Sequence, residues 1–192
     1  DDPNAVIVDM RNAYESEIGH FERAITPDVD TFREELAVTP DLLKENRDKK
    51  IALYCTGGIR CEKASAWLKH NGFKNVRHLK GGIIDYKHQV EQEGLENKFK
   101  GKNFVFDERL GERIGEIISH CHLCRKNKSD THYHCKNQIC HVLFLGCDDC
   151  MKKHHGYCSG WCELTDKLPE KFKKVFARYY NQYFRGAQFK KA

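Results

Sequence analysis

Within seven consecutive residues, Cys55-Thr56-Gly57-Gly58-Ile59-Arg60-Cys61, the chain places two thiols, two glycines and a guanidinium. A short apolar run, Ile51 to Tyr54, leads in and has the look of a buried strand. A helical pattern, Glu62 to His70, leads out, with Ala64, Trp67 and Leu68 as its apolar positions. A strand, a tight glycine-containing loop and a helix start gather backbone N–H groups around one point, and the positive end of the helix dipole faces it. A cysteine at the head of such a loop is expected to have a depressed pKa and to be partly thiolate at neutral pH. Cys55 is therefore the expected nucleophile, and Arg60 the expected support for negative charge on its sulfur or on a bound anion. Cys61 can resolve an oxidised Cys55 or pack at the first turn of the helix, and packing is the favoured role. The bland alternative is a buried structural cysteine with glycines that merely close a turn. An inert site has no need of an arginine and two glycines there.

A phosphate-binding loop is the sharper rival. Cysteine phosphatases hold five residues between cysteine and arginine, and counting from Cys55 that slot falls on Cys61. Arg60 comes one residue early, and a loop tighter by one residue suits a sulfur atom better than a phosphate.

A second cluster begins at Cys121. Eight of the ten cysteines fall there as four pairs: Cys121 and Cys124, Cys135 and Cys140, Cys147 and Cys150, Cys158 and Cys162. Four thiolates make a closed tetrahedral zinc site, so eight suffice for two structural ions. His122, His134, His141, His154 and His155 are alternative ligands. Sequential and cross-braced pairings are both open, and so is a set of free thiols or disulfides. A reactive loop cysteine without an export signal favours a reducing compartment, hence a cytoplasmic protein.

The elements that must position these groups alternate through the first half. Val6 to Val8, Ala24-Ile25, Ile51 to Tyr54 and Val76 to Leu79 read as strands; Thr31 to Ala37, Pro40 to Asn46, Glu62 to His70 and Ile83 to Glu93 read as helices. This alternation predicts an α/β fold with a parallel sheet and helices on both faces. The reactive loop then sits at the carboxyl end of a strand, where open α/β sheets place their ligands. Glu96 to Lys102 is polar and Lys-rich and reads as a linker, and Phe104 to Phe106 as a short strand. The expected domains are 1–100 and 101–192, the second ending in a basic helix. That helix, Pro169 to Phe184, carries Phe172, Phe176, Tyr179, Tyr180 and Tyr183 at helical spacing, a stripe expected to pack on the body of the protein. Lys171, Lys174, Arg178 and Arg185 then form either a solvated face or an RNA contact.

The 192 residues are 40% hydrophobic and 32% charged, with a net charge of +5, which describes an ordinary soluble protein. No apolar run approaches the roughly 20 residues that span a membrane, so no membrane partner is expected. The basic excess is uneven: from Lys167 onward eight Lys or Arg face one acid, Glu170, which suits an anionic partner.

The loop resembles the active-site loop of the rhodanese family. Val6 to Ile25 resembles that family's opening strand, its Asp-x-Arg and its Glu–Gly-His stretch, with Arg23 in place of a small glycine. Val76 to Gly82 resembles its last strand and Gly-Gly turn. With the tail, the chain is similar to the bacterial tRNA uridine hydroxylases: Phe104-Val105-Phe106-Asp107-Glu108-Arg109 and the Cys121-His122-Leu123-Cys124 onset match their arrangement. The resemblance implies a rhodanese-like sheet followed by a cysteine-rich module, with Cys55 as the essential cysteine. It implies tRNA as partner and oxygen-dependent hydroxylation of the wobble uridine to 5-hydroxyuridine, with molecular oxygen as co-substrate. It also implies a small N-terminal α/β domain ahead of this chain, which is expected to be a piece of a longer protein. Two other readings stay open: a sulfurtransferase carrying a persulfide on Cys55, and a non-catalytic zinc module beside a vestigial rhodanese domain.

Overall fold

The computed structural model describes residues 2–105 and 111–183, and within the last helix it describes side chains only as far as Val175 and at Ala177. The elements run β1 (Val6–Asp9), α1 (Ala13–Ser16), β2 (Gly19–Phe21), α2 (Phe32–Leu42), a 3-10 turn (Lys44–Asn46), β3 (Ile51–Tyr54), α3 (Ile59–His70), β4 (Val76–His78), α4 (Gly82–Glu93), β5 (Phe99–Asn103) and β6 (Glu112–Arg113). They continue with β7 (His132–His134), β8 (Leu143–Leu145), α5 (Asp148–Lys153), α6 (Gly160–Asp166) and α7 (Glu170–Tyr183). The chain divides into two compact units, Asp1–Ile118 and Ser119–Ala192.

In the first unit β3 lies between β1 and β4 in a parallel sheet, with Val8 opposite Leu53 and Leu53 opposite His78. Alternation of side chains along each strand sorts the core onto two faces. Val8, Leu53 and Ile51 pack with Leu43, Ala64, Leu68 and Phe73 on the side of α2 and α3. Ile7 and Tyr54 point to the other side, where Phe21, Ile83, Tyr86 and Phe99 close over them. Phe21 is the hub of that layer, edge-on to Tyr54, Tyr86 and Phe99 with ring centroids 4.7, 4.7 and 5.3 Å away. The expected parallel sheet covered on both faces is present.

Four local expectations are corrected. Ala24-Ile25 forms only a single parallel bridge, Val8 with Ile25, rather than a strand. Glu96 to Lys102 is no plain linker: β5 begins inside it, and a small antiparallel sheet β2-β5-β6 forms because Gly101, at φ 84°, passes where no side chain fits. Phe104 and Val105 lie beyond that strand, and Phe106 to Arg109 fall outside the described residues. The two helices expected on either side of Thr39 are one, α2, running through Pro40. Proline lacks the N–H that would bond Leu36, and the Trp67 indole N–H of α3 donates to that freed carbonyl at 2.8 Å.

The second unit has a two-stranded sheet, β7 paired antiparallel with β8, and three helices. Its buried apolar side chains are mainly cysteines, joined by Phe144, Leu145 and Tyr157. The C-terminal helix is present as expected. Its apolar stripe is not packed as expected at Phe172, which is 51% exposed, and the side chains of Phe176, Tyr179, Tyr180 and Tyr183 lie outside the described residues. Among the described residues no helix is long and apolar enough to cross a membrane.

Candidate active site and candidate metal centres

The loop leaves the carboxyl end of β3 and enters α3 earlier than the apolar pattern suggests. The helix starts at Ile59, after Gly58 at φ 91°, so Arg60 and Cys61 sit on its first turn. Gly58 can hold that left-handed geometry because it has no Cβ. A second helix closes on the loop from the other side. At the start of α4, Ile83 N–H donates to the Cys55 carbonyl at 3.0 Å and Ile84 N–H to the Thr56 carbonyl at 3.2 Å. A Cβ on Gly82 would lie within 2.5 Å of both carbonyl oxygens, so only glycine permits this approach. The resemblance to a Gly-Gly turn at Gly81-Gly82 thus has a physical content: it lets one helix dock on the loop of another.

Cys55 is 1% exposed, and its sulfur accepts the Gly58 N–H at 3.1 Å. Its pKa is pushed down to about 5, first by the hydrogen bond from the Cys61 thiol, then by the N–H groups of Cys61 and Gly58 and the charge of Arg60, all against the opposing effect of burial. Cys61, fully buried in the core on the first turn of α3, is correspondingly held well above the ordinary thiol range by the same hydrogen bond. Packing and hydrogen-bond donation therefore coincide in this residue. A pKa of about 5 leaves the Cys55 sulfur ionised across the neutral range at the meeting point of two helix starts, and an ionised thiol is equipped to act as a nucleophile.

Arg60 does not reach the sulfur. Its guanidinium holds Glu15 with two bonds, of 2.6 and 2.9 Å, and lies 3.3 Å from the Thr56 hydroxyl. Glu15 is fully buried and also accepts the Asn12 N–H at the start of α1. The arginine thus acts on the sulfur through its field and by clamping the loop to α1. Beside this pair, Arg11 is fully buried and holds Asp9 with bonds of 2.8 and 2.6 Å. Sequence reasoning missed Glu15, although Asn12-x-x-Glu15 is a readable helix-start signature. The expected outcome for Arg60→Ala has two parts. Glu15 is left buried without its partner, so unfolding by urea shows a loss of about 3 kcal/mol. The midpoint of Cys55 alkylation against pH also moves up from about 5, and an unchanged midpoint removes the electrostatic role.

In the second unit the eight cysteines gather into two tetrads, Cys121, Cys124, Cys147 and Cys150, and Cys135, Cys140, Cys158 and Cys162. Within each tetrad the sulfurs lie within 4.8 Å of one another. Sulfur–sulfur edges of 3.9 Å (Cys124 to Cys147), 3.7 Å (Cys140 to Cys158) and 3.5 Å (Cys158 to Cys162) match the edge of about 3.8 Å that a tetrahedron with metal–sulfur bonds of about 2.3 Å requires. First and third pairs share one site and second and fourth the other, which is the cross-braced arrangement. None of the five histidines joins a tetrad. His122 accepts the Leu145 N–H at 3.2 Å, His155 faces Glu163 at 3.1 Å, and His134 stacks on His141. Each tetrad could hold a metal ion.

A parallel sheet, a thiolate loop between two helix starts and a cysteine-rich tail define a rhodanese-type protein with an added module. Residues 1–89 match the rhodanese-like domain family and residues 100–163 the rhodanase C-terminal family. The chain is 58% identical over 175 residues to a tRNA uridine(34) hydroxylase of Leptospira interrogans, covering 91% of this chain and 47% of that protein. It is 56% identical over 171 residues to one of Enterobacter sp., covering 88% and 49%. A rhodanese-like domain protein of Staphylococcus aureus is similar in structure at 26% identity and a TM-score of 0.36, over 44% of this chain and 74% of that one. The chain thus carries a rhodanese-like domain followed by a rhodanase C-terminal region, and it spans about half the length of the curated relatives it matches.

Proposed function

We propose that this chain is the catalytic part of an oxygen-dependent tRNA hydroxylase that converts the wobble uridine to 5-hydroxyuridine, with Cys55 as nucleophile. The observation that carries this reading is the Cys55 thiolate, pKa about 5, held by Gly58, Cys61 and the start of α3. The name shared by the relatives, tRNA uridine(34) hydroxylase, supplies the substrate and the reaction. Uracil C5 is not electrophilic, but C6 is, being conjugated to the C4 carbonyl. Addition of the thiolate at C6 forms a C–S bond and moves the electron pair toward C5 and O4. The N–H groups of the loop sit where they can steady the anion. C5 then bonds O2 as a hydroperoxide. A two-electron reductant, such as two equivalents of an external thiol, cleaves the O–O bond so that the second oxygen leaves as water and a disulfide forms. Loss of the C5 proton with departure of the thiolate restores the ring bearing the C5 hydroxyl. Thr56, Gly57, Gly58, Ile59, Arg60 and Cys61 serve this step as the loop that holds the sulfur. The two cysteine tetrads hold structural zinc in this reading, and cytoplasm is the compartment that keeps all ten thiols reduced.

Thiolate addition has a direct test. RNA bearing 5-fluorouridine at the wobble position is expected to trap a covalent adduct on Cys55, visible as a shifted band and mapped by mass spectrometry. An adduct-free reaction in which a Cys55 persulfide appears during turnover overturns addition and assigns the sulfur a carrier role.

A further inference from the structure

Glu35 lies on α2, fully buried, and neither of its carboxyl oxygens has a hydrogen-bond partner among the described residues. The turn that carries it is tied to α3, since the neighbouring Leu36 carbonyl accepts the Trp67 indole N–H. The charged groups that act on it come from every side: Asp9 at the end of β1, Arg11 just after it, Glu15 on α1 and Arg60 on α3. Asp9 is paired with Arg11 and Glu15 with Arg60. Glu35 is the acid left over, within electrostatic reach of a guanidinium already in use. Burial first, then the negative charges of Asp9 and Glu15, push its carboxyl up to about 9 against the pull of Arg60 and Arg11. It is the neutral acid at neutral pH.

We propose that Glu35 is a positioning residue for the reactive loop: as the neutral acid it leaves Arg60 to Glu15 and Thr56, and once ionised it competes for that guanidinium and slackens the clamp. Ionised Glu35 gains only from a cation, and of the two that act on it Arg60 is partly open, its side chain 20% exposed, while Arg11 is sealed. Any pull on Arg60 is at the expense of its bonds to Glu15, which fasten the loop to α1, and to the loop's own Thr56. Cys55 is 1% exposed, so a reagent reaches its sulfur only when the loop yields. Slackening the clamp therefore speeds alkylation, although the thiolate is already fully formed.

The inference rests on Cys55 being the reactive group of the loop, but its test needs neither RNA nor oxygen, so it can fail or stand apart from the hydroxylase reading. Iodoacetamide labelling of Cys55 is followed by peptide mass spectrometry in the full chain, which separates it from the eight cysteines of the second unit. The wild-type rate is expected to level off above the thiolate midpoint and then rise several-fold around pH 9, and Glu35→Gln to lose that second rise. Thermal melts serve as the companion measurement. A carboxyl whose folded pKa is raised from about 4.5 to about 9 favours the folded state below the unfolded value and loses that advantage as pH climbs toward the folded one. Glu35→Gln and Glu35→Leu should therefore melt above wild type by a margin that widens from pH 5 to pH 9. A second rise that persists in Glu35→Gln, or a wild-type rate that stays flat through pH 10, overturns the positioning role. So does a widening melting margin with no alkaline rise, which leaves Glu35 merely a misplaced acid.

Discussion

Cys55→Ser is expected to lower 5-hydroxyuridine formation by on the order of a thousandfold or more while leaving the fold in place. The sulfur occupies a closed position in the core between β3 and α3, and a hydroxyl fills nearly the same volume. It can still accept the Gly58 N–H that now bonds the sulfur at 3.1 Å. What it cannot do is ionise: the donors that bring a thiol to about 5 leave an alcohol, with a far higher intrinsic pKa, neutral. Addition to a pyrimidine C6 needs the anion. Nucleoside mass spectrometry on undermodified tRNA measures the loss, and a melting curve close to wild type assigns it to chemistry. Activity near wild type in the serine protein removes Cys55 from the reaction. The experiment belongs with the longer protein that the relatives represent, since the chain spans about half their length.

The reactive loop could be read from the sequence because its parts are contiguous. Strand, cysteine, glycines and helix follow one another, and the backbone geometry they imply is local. The start of α3 at Ile59 rather than Glu62 shows the limit of that reading. Apolar periodicity marks where a helix meets the core, whereas Gly58 and the closing turn set where it begins. The partners of the loop were not readable. Arg60 and Glu15 are 45 residues apart, and nothing in either neighbourhood announces the other. Glu35 is harder still: its four surrounding charges come from three separate segments, and its helix is sustained through a proline by an indole from α3. The cysteines divide the same way. Pair spacing identifies half-sites, because the two sulfurs of a pair are close along the chain. Which halves combine depends on the hairpin of β7 and β8 and on α5 and α6, none of which the spacing encodes.

Because the buried apolar side chains of the second unit are mainly cysteines, its metal prediction carries the largest energy. A structural zinc ion contributes about 10–16 kcal/mol to such a module at neutral pH, which is comparable to the whole stability of a typical domain of about 5–15 kcal/mol. Elemental analysis is expected to find two zinc per chain, and a strong chelator to abolish the near-ultraviolet signal of the second unit while the first still melts cooperatively. Paired substitutions then test the bracing. Cys121 and Cys147 belong to one tetrad, and Cys135 to the other. Replacing Cys121 and Cys147 together with serine should remove one zinc and leave one, whereas replacing Cys121 and Cys135 together should remove both. Sequential pairing reverses that outcome, because Cys121 and Cys135 would then share an ion and Cys121 and Cys147 would not. A metal-free chain with eight titratable thiols in this region contradicts both arrangements, because nothing else buried there in quantity replaces the ions as a core.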